Sequence, residues 1–226
     1  MTDAQRWTVD VGDQTTSAEY DAPSSGDEAA LFVCAHGAGG NMADRSVVAT
    51  ARALRDRGIG VVRFNFLYKE GGSGRPDAMP KLMATFAAVV SRAREEVQPA
   101  RLIIGGRSMG GRAASMLAAE GFEADGLLLF AYPLHPPGQP EKLRVEHLPA
   151  IRMPVLAFSG TRDPFCTPTL MGTALESVSA PWEMVWVEGA DHSFHVLKSS
   201  GRTDSQVMGE MADRAAAWAS RVGGDR

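Results

Sequence analysis

Short apolar runs alternate with longer amphipathic stretches along most of this chain, and the alternation reads as a series of elements. Trp7 to Val11 and Thr15 to Tyr20 switch between apolar and polar residues with a period of two, on either side of Gly12-Asp13-Gln14. That pattern predicts an antiparallel hairpin at a sheet edge. Asp21 to Asp27 is rich in Pro, Ser and Gly and reads as a linker. Ala29 to Ala35 is apolar throughout, as expected of a strand buried on both faces. Ile59 to Phe66, Leu102 to Ile104, Gly126 to Ala131, Pro154 to Ser159 and Trp182 to Val187 read as further strands.

Between them lie helical stretches. Ala43 to Arg57 is closed by Gly58. Lys81 to Val97 carries Leu82, Phe86, Val89, Val90 and Ala93 on one face. Gly110 to Glu120, Thr169 to Val178 and a closing Asp204 to Val222 complete the set. Leu67 to Pro80 is polar and glycine-rich, hence a loop. Tyr132 to Ala150 is an irregular excursion, too short for a large lid domain. Strands alternating with helices predict an α/β fold, a mostly parallel sheet covered on both faces, with residues 1–226 as a single domain.

Composition narrows the function classes. Hydrophobic residues make up 44% and charged residues 22%, as in an ordinary soluble globular protein. The net charge of -4 gives no positive field for nonspecific nucleic-acid or anionic-membrane binding. No run approaches the roughly 20 apolar residues of a membrane span. No basic segment followed by an apolar stretch marks the N-terminus as a signal peptide. Cys34 and Cys166 show no metal-binding spacing, and Cys34 lies in an apolar run that predicts a buried thiol. A cytoplasmic, reducing compartment is expected, with no metal and no cofactor.

The candidate chemistry centres on Arg101 to Gly111. An apolar run leads to Gly105-Gly106, then Ser108, then Gly110-Gly111, then the alanine-rich stretch Arg112 to Ala119. Gly106-Arg107-Ser108-Met109-Gly110 fits G-x-S-x-G between a strand and a helix. Glycines two residues before and after the serine are needed where larger side chains would collide with neighbouring elements. Gly106 to Ala113 also approaches a phosphate-binding loop, but Arg112 and Ala113 replace its lysine and hydroxyl residue. Downstream, one strand ends in Gly160-Thr161-Arg162-Asp163-Pro164, and the next in Glu188-Gly189-Ala190-Asp191-His192-Ser193. Ser108, Asp163 and His192 therefore follow the order nucleophile, acid, base, each after a strand, which is the arrangement of an α/β-hydrolase triad. Asp191 is a rival acid and His195 a rival base, and Asp163 also suits a turn or helix cap.

The glycine-rich stretch His36 to Gly40 follows the strand expected beside Ser108. With the N–H of Met109, the N–H of Ala38 is the candidate for an oxyanion hole. His36 is expected to order that loop by hydrogen bonding. His135 and His147 are expected to be loop residues rather than substrate contacts. Arg107 and Arg112 flank the serine. Arg112 opposes the helix dipole, which predicts a partner carboxylate, with an acidic substrate group as the alternative.

These segments together resemble one group of α/β-hydrolases. The shared stretches are His36-Gly37-Ala38-Gly39, Arg63-Phe64-Asn65-Phe66, Gly105 to Arg112, Tyr132 to Gly138 and Ser159 to Phe165. The group contains the testis-expressed protein thirty and the third subunit of the NSL histone-acetyltransferase complex, and its bacterial members are often called dienelactone-hydrolase-like. The resemblance, from Leu31 to Val222, implies the α/β-hydrolase fold and supports Ser108, Asp163 and His192 as the triad. It brings no substrate, and its eukaryotic members include proteins that act as scaffolds. Leu67 stands where the group usually has proline, so a looser loop is expected there. Dienelactone hydrolases proper use a cysteine nucleophile, and Ser108 departs from that. The expectation is a serine esterase or thioesterase acting on a small acyl substrate, the alternative a catalytically silent binding or scaffold protein.

Overall fold

An apolar strand with no polar face is stable only between two layers, and this chain builds both. The computed structural model describes residues 4–24 and 29–223. In chain order its elements are β1 (Gln5–Val11), β2 (Gln14–Asp21), β3 (Ala30–Ala35), α1 (Arg45–Arg55), β4 (Ile59–Phe64), α2 (Leu67–Glu70), α3 (Met79–Val97), β5 (Leu102–Arg107), α4 (Met109–Ala119), β6 (Gly126–Phe130), β7 (Val155–Gly160), α5 (Pro168–Leu175), β8 (Trp182–Val187) and α6 (Asp204–Ala219). The strands form one eight-stranded sheet in the order β1-β2-β4-β3-β5-β6-β7-β8. β2 runs antiparallel to both β1 and β4, and every other pair of neighbours is parallel. This is the α/β-hydrolase fold, with the predicted hairpin at one edge. Of the predicted linker, Asp21 closes β2, and residues 25–27 lie outside the described residues.

The pleat divides the core between the two faces. Along β3, Leu31, Val33 and Ala35 pack with Leu82 and Phe86 of α3 and with Ala113 and Leu117 of α4. Phe32 and Cys34 point the other way, to Val47 and Leu54 of α1 and Val207, Met211 and Ala215 of α6. Each side chain buried as completely as Leu31 or Phe86 contributes roughly 1.5–3 kcal/mol. The helix after β3 and the helix after β5 thus cover opposite faces. β3 and β5 are hydrogen-bonded neighbours, so their crossovers diverge and leave a crevice beyond their C-terminal ends.

Several boundaries differ from the sequence reading, and three of the differences have a physical reason in the packing. β5 does not stop at Ile104. It continues through Gly105 and Gly106 to Arg107, because those glycines are paired with β3 on one side and β6 on the other. α3 begins at Met79, with Pro80 in its first turn, where a missing N–H costs nothing. The loop expected over Leu67 to Pro80 opens with α2. Leu67 is buried and starts that turn rather than loosening the segment. The preceding residues are pinned: Asn65 accepts the N–H of Met42 through its side chain, and its carbonyl accepts the hydroxyl of Thr16. Arg63 is held by Asp21 at 2.6 Å, Glu19 at 2.8 Å and the carbonyl of Met42 at 2.6 Å.

Candidate active site

The turn after β5 places Ser108 under backbone strain. Its φ of 50° and ψ of -117° lie where few residues other than glycine are found. Its N–H donates to the carbonyl of Phe130 at the end of β6, which holds the turn in place. The flanking glycines are required by one neighbour. A Cβ on Gly106 would strike the carbonyl of Ala35, and one on Gly110 would lie 2.6 Å from that same oxygen and 2.5 Å from the carbonyl of His36. Both collisions are with the end of β3, so the G-x-S-x-G spacing lets β3 pass close under the serine.

The structure brings the three separated residues together. The ring of His192 lies between Ser108 and Asp163, with Nε2 3.0 Å from Ser108 Oγ and Nδ1 2.8 Å from Asp163 Oδ2. A carboxylate only accepts, so Nδ1 carries the proton and Nε2 is free to accept from the serine hydroxyl. The Asp163 side chain is fully buried, and its second oxygen accepts the N–H of Phe165 at 2.8 Å. The hydroxyl of Ser159 reaches Oδ2 at 3.5 Å. The ring of Phe165 packs edge-on against that of His192, with centroids 4.6 Å apart. Phe165 and Ser159 were present in the sequence motif, but nothing in their residue type announced contact with the histidine or the acid. Gly160 lets the two loops meet, since a Cβ there would strike the carbonyl of Ala190.

The rivals are placed elsewhere. Asp191 Oδ1 accepts the N–H groups of Ser193 and His195, and so shapes the loop that carries His192. The ring of His195 is exposed and pairs with Asp204 at 2.9 Å, which raises its pKa through the hydrogen bond. His36 is fully buried. Its Nε2 accepts the N–H of Phe66 at 3.2 Å, and its Nδ1 donates to the carbonyl of Gly37 at 2.8 Å. Burial pushes its pKa down, so the neutral ring ties the Gly37–Ala38 turn to the end of β4. That turn abuts the serine: a side-chain carbon on Gly37 would lie 3.6 Å from Ser108 Cβ. Met109 is the first residue of α4, and its N–H has no acceptor within the helix. Ala38 and Met109 both line the cavity above Ser108.

That cavity has a volume of about 520 Å³ and is bounded by Ser108, His192, Met79, Leu82, Phe165 and the excursion after β6, which contributes Pro133, Pro137 and Arg144. The excursion is a packed wall. Leu134 and Leu148 are buried, the N–H of Arg144 donates to Leu134, and the Tyr132 hydroxyl donates to the carbonyl of Arg144. His135 turns back onto the carbonyl of Pro136. His147 Nε2 lies 2.8 Å from Ser115 Oγ, and its pKa is driven down to about 4 by burial and then by the charge of Arg112. A larger open depression of about 1020 Å³ lies at the opposite ends of β6, β7 and β8, but neither serine nor histidine lines it.

The two arginines beside the serine differ. Arg107 Nη2 donates to the carbonyl of His192 at 2.7 Å and anchors the histidine loop. Burial lowers its pKa, against the attraction of Asp163 and Asp191. Arg112 does not meet the carboxylate that the helix dipole led us to expect. Its Nε is buried without a hydrogen-bond partner, and a charged side chain near it, Arg144, is of like sign. Arg144 and Asp77 also border the cavity, and no motif or spacing in the sequence points to either.

Among the described residues, no group of three or more His, Cys, Asp or Glu side chains is placed to hold a metal ion. No helix among them is long and apolar enough to cross a membrane. The sequence matches the family described as an alpha/beta hydrolase domain over residues 28–220. An α/β serine hydrolase without lid from Xanthomonas campestris has a similar structure, with a TM-score of 0.77 and 24% identity over 96% of each chain. The esterase domain of a Rhodothermus marinus protein superimposes with a TM-score of 0.73 and 19% identity, over 99% of this chain and 100% of that one. A dienelactone hydrolase from Anabaena variabilis gives 0.72 and 20%, over 95% and 96%.

Proposed function

The chain belongs to the alpha/beta hydrolase domain family, and we propose that within it the protein is a serine hydrolase that cleaves a carboxylic ester or thioester of a small substrate. The observation that carries this reading is the unbroken line of hydrogen bonds from Asp163 through His192 to Ser108. Ser108 Oγ attacks the acyl carbon while its proton passes to His192 Nε2. The oxyanion is received by the N–H groups of Met109 and Ala38. His192 then gives the proton to the leaving alcohol or thiol, and an acyl-enzyme remains on Ser108. Water, deprotonated by the same nitrogen, attacks that ester and releases the acid. Asp163 holds the ring in its tautomer and faces the imidazolium that forms.

Structures of the same fold described as a serine hydrolase and an esterase domain support the reaction class. The stretches shared with the testis-expressed and NSL-subunit group support a place beside those proteins. No cofactor enters any step, and the substrate is a small molecule rather than a nucleic acid or membrane. The buried, unpaired thiols of Cys34 and Cys166, both pushed up to about 12 by burial, fit a reducing cytoplasmic setting. The test is turnover of short p-nitrophenyl esters and acyl thioesters by wild type and Ser108→Ala. Substitution should lower kcat on the order of a thousandfold or more. Equal turnover by both proteins would refute the assignment, and a folded wild type inert to every ester would favour a binding role.

A further inference from the structure

We infer that the cavity takes an ester or thioester bearing a carboxylate, held by Arg112 and Arg144. This rests on the serine-hydrolase reading and names the substrate class of the same site. Both guanidinium groups border the cavity that contains Ser108 and His192. Among the described residues neither takes part in an ion pair or side-chain hydrogen bond. Both arginines are partly buried and the Nε of Arg112 is buried without a partner, so an anion entering the cavity would meet cations that the chain has not already neutralised.

The neighbouring groups sharpen the point. Among the described residues Asp77 is the one acidic residue of the cavity lining, and it is already used. It accepts the N–H of Tyr68 at 3.0 Å and faces Lys81 at 3.5 Å. Arg144 is held below the usual arginine range, first by burial and then by the like charge of Arg112. His147 feels the same charge, with burial acting first, and stays neutral. The chain as a whole carries a net charge of -4, yet this pocket concentrates positive charge. Such a field draws in an anion and lines it up. The planar forks of two arginines match the two oxygens of a carboxylate. Met79, Leu82, Met109, Pro133 and Phe165 supply apolar walls for a short carbon chain between that carboxylate and the carbonyl at Ser108.

The test compares p-nitrophenyl hexanoate with p-nitrophenyl hemiadipate, which differ only by a terminal methyl or carboxylate. Wild type should prefer the hemiadipate in kcat/KM by about tenfold or more, the scale of a charged hydrogen-bonded pair. Arg144→Gln and Arg112→Gln should each reduce that preference severalfold, chiefly through KM. Added salt should also reduce it, because the attraction is screened. Arg144 lies on the excursion outside the helices, so its variant carries the test if Arg112→Gln does not fold. Hexanoate cleaved as well as hemiadipate would overturn the inference while leaving the hydrolase in place. A preference that survives both substitutions would overturn the residues assigned. No turnover of either ester, with no reaction of Ser108 toward a fluorophosphonate, would instead refute the hydrolase reading and the inference with it.

Discussion

Asp163→Asn changes the chemistry of one buried atom and almost no volume. Asp163 Oδ1 accepts the N–H of Phe165 at 2.8 Å, so the amide oxygen of the variant is held on that side. The amide nitrogen then takes the place of Oδ2, 2.8 Å from His192 Nδ1. An amide nitrogen only donates. Nδ1 must therefore give up its proton and accept, and the proton moves to Nε2. Nε2 lies 3.0 Å from Ser108 Oγ and would face it as a donor, unable to take the serine proton. The wrong tautomer in a triad of this kind costs about 10⁴-fold in kcat. At 1.36 kcal/mol per tenfold, that is about 5.5 kcal/mol added to the barrier. The assay is kcat for p-nitrophenyl butyrate near neutral pH, with a thermal melt to show that the variant is folded. Activity within about tenfold of wild type in a folded variant would refute the tautomer argument.

Other consequences follow from the packing around the site. Gly110→Ala puts a carbon 2.5 Å from one backbone oxygen and 2.6 Å from another, neither at the end of a flexible side chain. It should cost about 3 kcal/mol and lower the melting temperature by roughly 10 °C. Arg63→Met leaves the buried Asp21 carboxylate without its partner. Urea unfolding should show a loss of about 3–5 kcal/mol. His147 titrates near 6.5 when unfolded and about 4 when folded. The unfolded chain binds the extra proton between those values, so stability rises with pH across that window and is lost as pH falls through it. The share is on the order of 1–2 kcal/mol after screening by solvent, and His147→Gln should flatten the acid limb by that amount.

Much of this molecule was legible because its strands are buried on both faces. Ala30–Ala35 has no polar residue to confuse its reading, and the hairpin announces itself by period-two alternation on either side of a glycine turn. Ser108, Asp163 and His192 were legible through chain order and strand ends, and their hydrogen bonding agrees with that reading. Glycine misled where it serves packing rather than turning. Gly105 and Gly106 read as the end of a strand, yet they continue it by pairing with β3 and β6, at positions where those backbones leave no room for a Cβ. Pro80 read as the end of a loop, although proline suits the first turn of a helix. Arg144 and Asp77 were illegible. Each comes to the cavity from an irregular or loop segment whose path is set by tertiary packing, and neither residue lies in a motif.

Reaction of Ser108 with a fluorophosphonate, followed by intact mass, tests the central claim most directly. An activated serine should give a single adduct on wild type and none on Ser108→Ala. A folded wild type that stays unlabelled, or a Ser108→Ala variant labelled as fully as wild type, would contradict the account.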